Sequence, residues 1–378
     1  MIKNPFIYGE VVRGEDFADR EREMTELTRD LKQGERVFLV SPRRYGKTSL
    51  IINVLMKLQE DGLYTVYLDL YKTPSFAQFL ELYAQEIAKV AETKLELIIH
   101  LIKELLPGLR PKIEVTPNGK PNISIDFRIP DRDLFQLANE VIEAPQKLSI
   151  KKGRGFVIAF DEFQEIQNFN KETVEKLMRA SFQHHSNVAY LFAGSKKHLV
   201  YSMISDRSRA FYKMGKLMPL SKIPRDIFAN FLEQKFSETG YTVEKGLINA
   251  VLDITEDYPY NAQLLCHKLW DWCVDSKKVH RELLDPVLNQ ALAEETPLYI
   301  ALWDSLPLHQ RRTLQAIASQ GGGNIFSHSF IEENNLGAYA SVQTSIRLLV
   351  KKGILDKENN TYVFTDVFFK EWVKRKMS

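Results

Sequence analysis

The sequence predicts an α/β protein: a three-layer α/β/α domain on a parallel sheet, then an all-helical unit, then a small domain of helices and one hairpin. Three stretches carry that prediction. The apolar run Val37-Phe38-Leu39-Val40 breaks at Ser41-Pro42-Arg43-Arg44-Tyr45 and resumes as a helix at Gly46-Lys47-Thr48-Ser49-Leu50. A second apolar run, Gly155 to Phe160, ends in Asp161-Glu162. Beyond Pro224 apolar residues recur at helical spacing, as buried helix faces require. A chain of 378 residues is long enough for two or three cores. The expected boundaries are 1–221 for the sheet domain, with a hairpin insertion at about 110–128, then 222–285 and 286–378.

In chain order, Met24, Leu27 and Leu31 mark an amphipathic helix leading into the first strand. Leu50, Ile51, Val54, Leu55 and Leu58 outline the next helix, which Gly62 breaks, and Tyr64 to Leu70 is a second buried strand. Strand, helix, strand predicts parallel pairing with a right-handed crossover. Residues 76 to 107 hold one or two helices. Ile113-Glu114-Val115-Thr116, Pro117-Asn118-Gly119-Lys120 and Ile123-Ser124-Ile125-Asp126-Phe127 spell a hairpin through their Asn-Gly turn, an insertion on the sheet. A helix from Arg132 to Ala144 is expected to end at Pro145. Val188 to Ala193 is a further strand, ending in Gly194-Ser195.

From Pro224 the strands are expected to cease. Phe228, Leu232 and Phe236, then Leu247 and Val251, then Asn261 to Val274 form helical stripes, with Pro259 in a first helical turn where its missing N–H does no harm. The interface of this unit with the sheet is where a ligand would be covered. Helices follow at Leu308 to Ser319, Ser327 to Asn335 with Ser327 as N-cap, and Ala340 to Lys352, which Gly353 stops. Ile354 to Phe364 then turns as a hairpin, and helices followed by a hairpin suggest a winged helix.

The chemistry lies at the strand ends. Backbone N–H groups at Gly46 to Ser49 converge where the helix dipole favours negative charge, so residues 41–49 suit a phosphate-binding loop. Gly46 lets the backbone approach a triphosphate, Lys47 can reach the β and γ oxygens, and the Thr48 hydroxyl can ligate Mg²⁺. Asp161 follows some 110 residues later at the carboxyl end of its strand, where parallel sheets present ligands, and would meet the same Mg²⁺. Glu162 would polarise a water for attack on the γ-phosphate. Ser195 is placed to hydrogen-bond that phosphate or the water, or else to cap the helix Lys196 to Met203. Arg207 and Arg209 offer charge for the transferred phosphoryl group, or are solvated loop charges.

Bulk composition excludes other classes. With 44% hydrophobic and 26% charged residues and a net charge of +2, nothing in the overall balance calls for nucleic acid or acidic lipid. No run approaches the roughly 20 apolar residues of a membrane span, and Met1 to Pro5 lacks the apolar core of a secretory signal, so a cytoplasmic protein is expected. Cys266 and Cys273, the only cysteines, lie seven apart in a helical pattern, as buried thiols rather than a bridge or metal pair.

Taken together these residues resemble the archaeal-type P-loop NTPases, ATPases of the STAND branch near AAA+ proteins. Pro42 to Leu50 looks like that family's phosphate loop and Asp161-Glu162-Phe163-Gln164 like its second acidic motif. The resemblance implies ATP or ADP with Mg²⁺ as cofactors. It implies that Phe17-Ala18-Asp19-Arg20-Glu21 lines the base pocket through Asp19 and Arg20, that Ser195 is a first sensor, and that Pro259 touches adenine from a helical lid. It implies too that Asp366 to Trp372 closes a winged-helix domain. The chain departs from the pattern at Ser41, which replaces the first glycine, and at Asp257, which stands where a Gly-x-Pro element has glycine. Tyr212-Lys213-Met214 replaces the usual arginine, leaving Arg207 and Arg209 as finger candidates.

Three functions follow. The first is a Mg²⁺-dependent ATPase acting as a conformational switch, slow until a protein partner or self-association supplies an arginine. The second is a nucleotide-controlled DNA-binding protein using residues 340–364, with Gln343, Thr344, Arg347 and Lys351 toward bases or phosphates. Residues 300–378 carry ten Lys and Arg against seven Asp and Glu, a small excess for neutralising several phosphates, which favours a protein-interaction or autoinhibitory role for that domain. The third, an inactive nucleotide-binding scaffold, is opposed by the joint presence of Lys47, Thr48, Asp161 and Glu162.

Overall fold

Three long apolar runs, at Val37, Phe156 and Val188, are buried almost end to end, the pattern of strands covered on both faces. The structure, a computed structural model, describes residues 3–17, 20–92, 94–105, 110–115, 121–126, 131–169 and 171–376. Its strands are β1 (Arg36–Val40), β2 (Tyr64–Asp69), the hairpin β3 (Arg110–Val115) and β4 (Pro121–Asp126), β5 (Phe156–Asp161), β6 (Val188–Gly194) and β7 (Lys216–Pro219). Five of them form one sheet in the order β2-β5-β6-β1-β7, and every pair is parallel. β1 and β2 are therefore parallel as expected but not neighbours, since β5 and β6 stand between them.

The helices of this region are α1 (Glu21–Lys32), α2 (Lys47–Glu60), α3 (Phe76–Ala91), α4 (Leu95–Leu105), α5 (Asp131–Lys152), α6 (Lys171–Phe182) and α7 (Lys197–Ser205). Between helices and sheet lies an aromatic core, with Phe38 stacked on Phe192 at 4.7 Å and Phe182 on Tyr190 at 3.9 Å. Offset aromatic pairs add about 0.5–1.5 kcal/mol each beyond the area they bury.

Two expectations need correcting here. α5 does not stop at Ala144 but runs through Pro145 to Lys152. A helical proline costs about 3 kcal/mol through its lost hydrogen bond and ring clash. The turn beyond it buries Leu148 and Ser149, each 1% exposed, continuing the face of Val141, Ile142 and Ala144, and that burial offsets the proline. The hairpin, with Ile113 opposite Ile123, forms its own two-stranded sheet beside α3 and α4 instead of lying on the large one. Its turn, residues 116–120, and Phe127 lie outside the described residues.

Contacts divide the chain into two units, Arg20–Ser221 and Met1–Asp19 with Lys222–Ser378. Residues 1–19, grouped by sequence with the sheet, thus cluster with the helices. Phe6 packs on Phe236 at 4.5 Å, the Asn4 amide donates to the His267 carbonyl at 3.0 Å, and Lys235 meets Asp16 at 2.8 Å.

The second unit opens with α8 (Arg225–Glu238), α9 (Leu247–Thr255), α10 (Pro259–Trp272) and α11 (Leu284–Asp304). Strands do not cease, because β8 (Thr242–Val243) and β9 (Lys278–Val279) pair in parallel over two residues each, too short to give a periodic signal. Pro259 is the first residue of α10. Cys266 and Cys273 are free and buried, and burial pushes both thiols up from their ordinary value.

The last segment comprises α12 (Leu308–Gln320), α13 (His328–Glu333), α14 (Tyr339–Lys351), β10 (Leu355–Glu358), β11 (Thr361–Phe364) and α15 (Val367–Arg375). Ser327 caps α13, accepting the Phe330 N–H at 3.2 Å. Asn359 and Asn360 turn the hairpin with φ of 45° and 68°, the left-handed pair a two-residue turn needs. α14 buries Val342, Ile346 and Leu349 and exposes Gln343, Thr344, Arg347 and Lys351. No helix among the described residues is long and apolar enough to cross a membrane.

Candidate functional site

β1, β5 and β6 run side by side and end at one edge of the sheet, so the residues just past their ends meet. After β1 the chain enters Ser41, fully buried, whose N–H donates to the carbonyl of Gly194, the last residue of β6, at 3.3 Å. It then turns through Arg44 and Gly46, with φ of 67° and 79°, into the N-terminus of α2. Gly46 carries no side chain to cap that helix, so the first-turn donors face whatever occupies the turn.

Lys47 is 6% exposed and its ammonium is bonded to Asp161 Oδ1 and, at 3.1 Å, to Glu162 Oε1. The Thr48 hydroxyl donates to Asp161 Oδ2 at 2.8 Å, and the Tyr67 hydroxyl of β2 to the same oxygen at 3.0 Å. The Glu162 N–H donates to Asp161 Oδ1 at 2.8 Å. Asp161, 3% exposed, is thus saturated by donors, as a buried carboxylate must be.

Glu162 sits in left-handed backbone, φ 51°, which aims its carboxylate back over the strand ends. The Ser195 hydroxyl donates to its Oε2 at 2.7 Å and the Gln164 amide donates to the same atom. Burial by itself would raise this carboxyl. The Lys47 charge and the bonds from Ser195, Gln164 and Lys47 together outweigh burial and hold it below its ordinary value. Ser195 does not cap α7: the capping position belongs to Lys196, with no side-chain cap. The Tyr67 phenol moves the other way, raised by burial and by the Asp161 charge, so it stays a donor.

Lys47, Thr48, Asp161, Glu162 and Ser195 therefore form one cluster. Pro42 and Ser49 line the same turn, Arg43 and Arg44 are exposed on it, and Tyr45 is buried beneath it. Arg20, 3% exposed, donates to the backbone carbonyls of Tyr45 at 3.0 Å and Ser221 at 2.7 Å and pairs with Glu23. Burial lowers its pKa against the pull of Glu23, and its donors brace the loop through the Tyr45 carbonyl. Arg209 is held bidentate by Glu175, itself 2% exposed, and is withdrawn from the cluster, whereas Arg207 is exposed. Pro259 belongs to the other unit, behind Glu256 and Asp257 with φ of 48° and 59°; Asp tolerates the left-handed turn where glycine would be freest. Asp19 lies outside the described residues. Sequence reasoning passes over Tyr67, because a strand tyrosine carries no motif of its own, and includes Gln164 in the second acidic motif without giving it a role.

The donor set suits Mg²⁺. Thr48 and Asp161 bring hard oxygens together, and among the described residues no group of three His, Cys, Asp or Glu could hold a metal. A small cation here would take most of its ligands from phosphates and water, which is how Mg²⁺ is usually held.

Residues 17–261 match a family described as an ATPase domain predominantly from Archaea, and residues 297–375 one described as "probable winged helix domain". Among solved structures the chain is similar to the Walker-type ATPase PABY2304 of Pyrococcus abyssi, at 18% identity and TM-score 0.66 over 98% of this chain and 99% of that one. It is similar to the Aeropyrum pernix ORC2 protein in its ADPNP–ADP complexes, at 14% and 0.57 over 99% and 98%. The ORC1 protein of the same organism in complex with DNA matches at 13% and 0.51 over 95% and 93%. At these identities the likeness is one of fold. No curated protein matches in sequence.

Proposed function

The chain belongs to the family of ATPase domains found predominantly in Archaea, and on that premise we propose that it binds ATP with Mg²⁺ at the Lys47 cluster and hydrolyses it, as a nucleotide-controlled switch of the STAND/AAA+ type. The observation that carries this reading is the meeting of Lys47, Thr48, Asp161, Glu162 and Ser195 at the ends of three adjacent strands. Residues 41–49 would wrap the phosphates, and Lys47 would exchange its carboxylate partners for β and γ oxygens. Thr48 and Asp161 would hold Mg²⁺, which supplies charge neutralisation for the phosphoryl group. Glu162, held ionised, accepts a proton from water as the water oxygen bonds to the γ-phosphorus and the bond to the ADP oxygen breaks. Ser195 acts on that step by holding the Glu162 carboxylate in place.

With Arg209 tied to Glu175, the transition-state arginine is assigned to Arg207 or to a partner, which makes unassisted turnover slow. The roles of Asp19 and Pro259 at the base rest on the family resemblance. Loss of the γ-phosphate biases two conformations only by its differential affinity for them, which is the basis of the switch. Phosphate release by the full chain tests the reading. Glu162→Gln is expected to lower kcat by about 10²–10⁴-fold while Mg-ATP still binds, and an equal rate would show that Glu162 is not the base.

One observation favours a second reading. The exposed face of α14 carries Gln343, Thr344, Arg347 and Lys351, and the ORC1 neighbour is seen with DNA. Retention of the full chain on duplex DNA that falls steeply with salt, and falls further in Arg347→Ala, would establish it; salt-independent behaviour would leave that face to a protein partner.

A further inference from the structure

We infer that Gln164 is a positioning residue for ATP hydrolysis, fixing the Glu162 carboxylate through its side-chain amide, and that Gly194 is glycine so that this amide can lie where it does. The inference rests on the proposed role of Glu162 and adds to it residues to which that role assigned nothing. Gln164 is 2% exposed, on the 3₁₀ turn Phe163–Asn168 directly after β5. Its Nε2 donates to Glu162 Oε2, the oxygen that also receives Ser195. Its Oε1 is buried with no hydrogen-bond partner. An ionised carboxylate only accepts, so the amide must turn its NH₂ toward Glu162, and the oxygen is thereby turned toward Gly194. Leaving a buried acceptor unpaired opposes folding, so the bond from Nε2 to the Glu162 carboxylate is what holds the amide in this orientation.

The neighbouring backbone has made room for it. A Cβ built on Gly194 would lie 2.5 Å from Gln164 Oε1 and 2.4 Å from Val200 Cγ2, so no other residue fits without moving one of them. Glu162 itself occupies left-handed backbone at φ 51°. Three locally unfavourable features converge on one carboxylate: a left-handed glutamate, an orphaned amide oxygen and a position closed to side chains. Ser195 and Gln164 approach Oε2 from just past β6 and from the 3₁₀ turn, while Lys47 approaches Oε1 from α2, so the carboxylate is held from separate segments and cannot rotate without breaking one of these bonds. Gln164 makes no bond to Lys47, Thr48 or Asp161 among the described residues, so its effect should fall on the chemical step and spare nucleotide binding.

The experiment is a kinetic double-mutant cycle on the full chain. Gln164→Met keeps the volume and removes the donor. It is expected to lower kcat by about tenfold, the worth of one hydrogen bond to a charged group, with the Mg-ATP dissociation constant and the melting temperature close to those of the parent. In a Glu162→Gln background the same change is expected to lower the residual rate by less than twofold, because its route of action is gone. Gly194→Ala, whose Cβ would press on both Val200 and the amide, should reproduce the kcat loss if it is the amide that moves; should that variant not fold, or Val200 move in its place, the Gln164→Met cycle decides alone. An unchanged kcat in Gln164→Met overturns the inference, and so does a tenfold loss that persists in the Glu162→Gln background, which would mark a general structural role. If Glu162→Gln alone turns over like the parent, the base assignment fails first and takes this inference with it. A dead Glu162→Gln beside a parent-like Gln164→Met sinks only the inference.

Discussion

The two ends of the same parallel sheet hold buried polar networks of opposite character. At the carboxyl ends of β1, β5 and β6 the network is charged: one lysine is shared by two carboxylates, and Thr48, Tyr67, Gln164 and Ser195 fill the remaining oxygens. At the amino ends, His185 bonds the Tyr190 hydroxyl at 2.6 Å and Glu143 at 3.1 Å, and Arg36 is bound to the Phe182 carbonyl at 3.2 Å. Burial lowers the pKa of His185 more than Glu143 raises it, with Arg36 and His184 lowering it further, so its ring tends to neutrality. The carboxylates of both networks find partners, as buried polar groups must, and at the charged end Gln164 Oε1 is the exception. Only the first is built of charges whose partners a phosphate and a cation could replace. The amino-end network closes on itself and serves the fold.

The sharpest way to break that contrast is at the charged end. Beyond the loss expected for Glu162→Gln, Lys47→Met should abolish Mg-ATP binding, and its melting curve will show whether two uncompensated carboxylates are tolerated. The next effect concerns stability. Arg209→Ala leaves Glu175 buried without its partner and should cost about 3–5 kcal/mol in denaturant unfolding. Loss of turnover at unchanged stability in that variant would instead make Arg209 a finger.

Tyr67→Phe is smaller. It removes one of the donors on Asp161 Oδ2, worth about 1 kcal/mol, and should weaken Mg-ATP binding several-fold with little change in melting. The amino end supplies the smallest effect, read against pH. Because His185 holds its proton less tightly folded than unfolded, the unfolded chain takes up more protons as pH falls. Its contribution is complete above about pH 6.5, the ordinary value for histidine, and is lost as pH drops toward the folded value. Melting temperature should therefore fall between pH 7 and pH 5 more steeply in the parent than in His185→Gln, with hydrolysis at neutral pH unaffected.

What was legible in the sequence were features in which local chemistry and position agree. A glycine-lysine-threonine turn after an apolar strand, and acids at the end of another, are brought together by any parallel sheet that sets these strands side by side. Ser327, Gly353 and Asn359-Asn360 punctuate their elements by backbone rules that need no tertiary context. The features missed depend on distant partners. Pro145 reads as a stop until the burial of Leu148 is known. Residues 4–16 have no periodicity, and are held by His267, Gln263 and Lys235, more than two hundred positions away. The bonds of Arg20 to the Tyr45 and Ser221 carbonyls reach across 25 and 201 positions and leave no mark on the local pattern. Tyr67 and Gln164 look like ordinary strand and turn residues until Asp161 and Glu162 are seen against them.

The central claim is that the lysine-centred cluster is a triphosphate site. Isothermal titration of the full chain with ATP, with and without Mg²⁺, beside Lys47→Met tests it most directly. Saturable binding in the parent that tightens with Mg²⁺ and disappears in a folded Lys47→Met is the predicted result. Equal heats in parent and variant, or none in either, would contradict it.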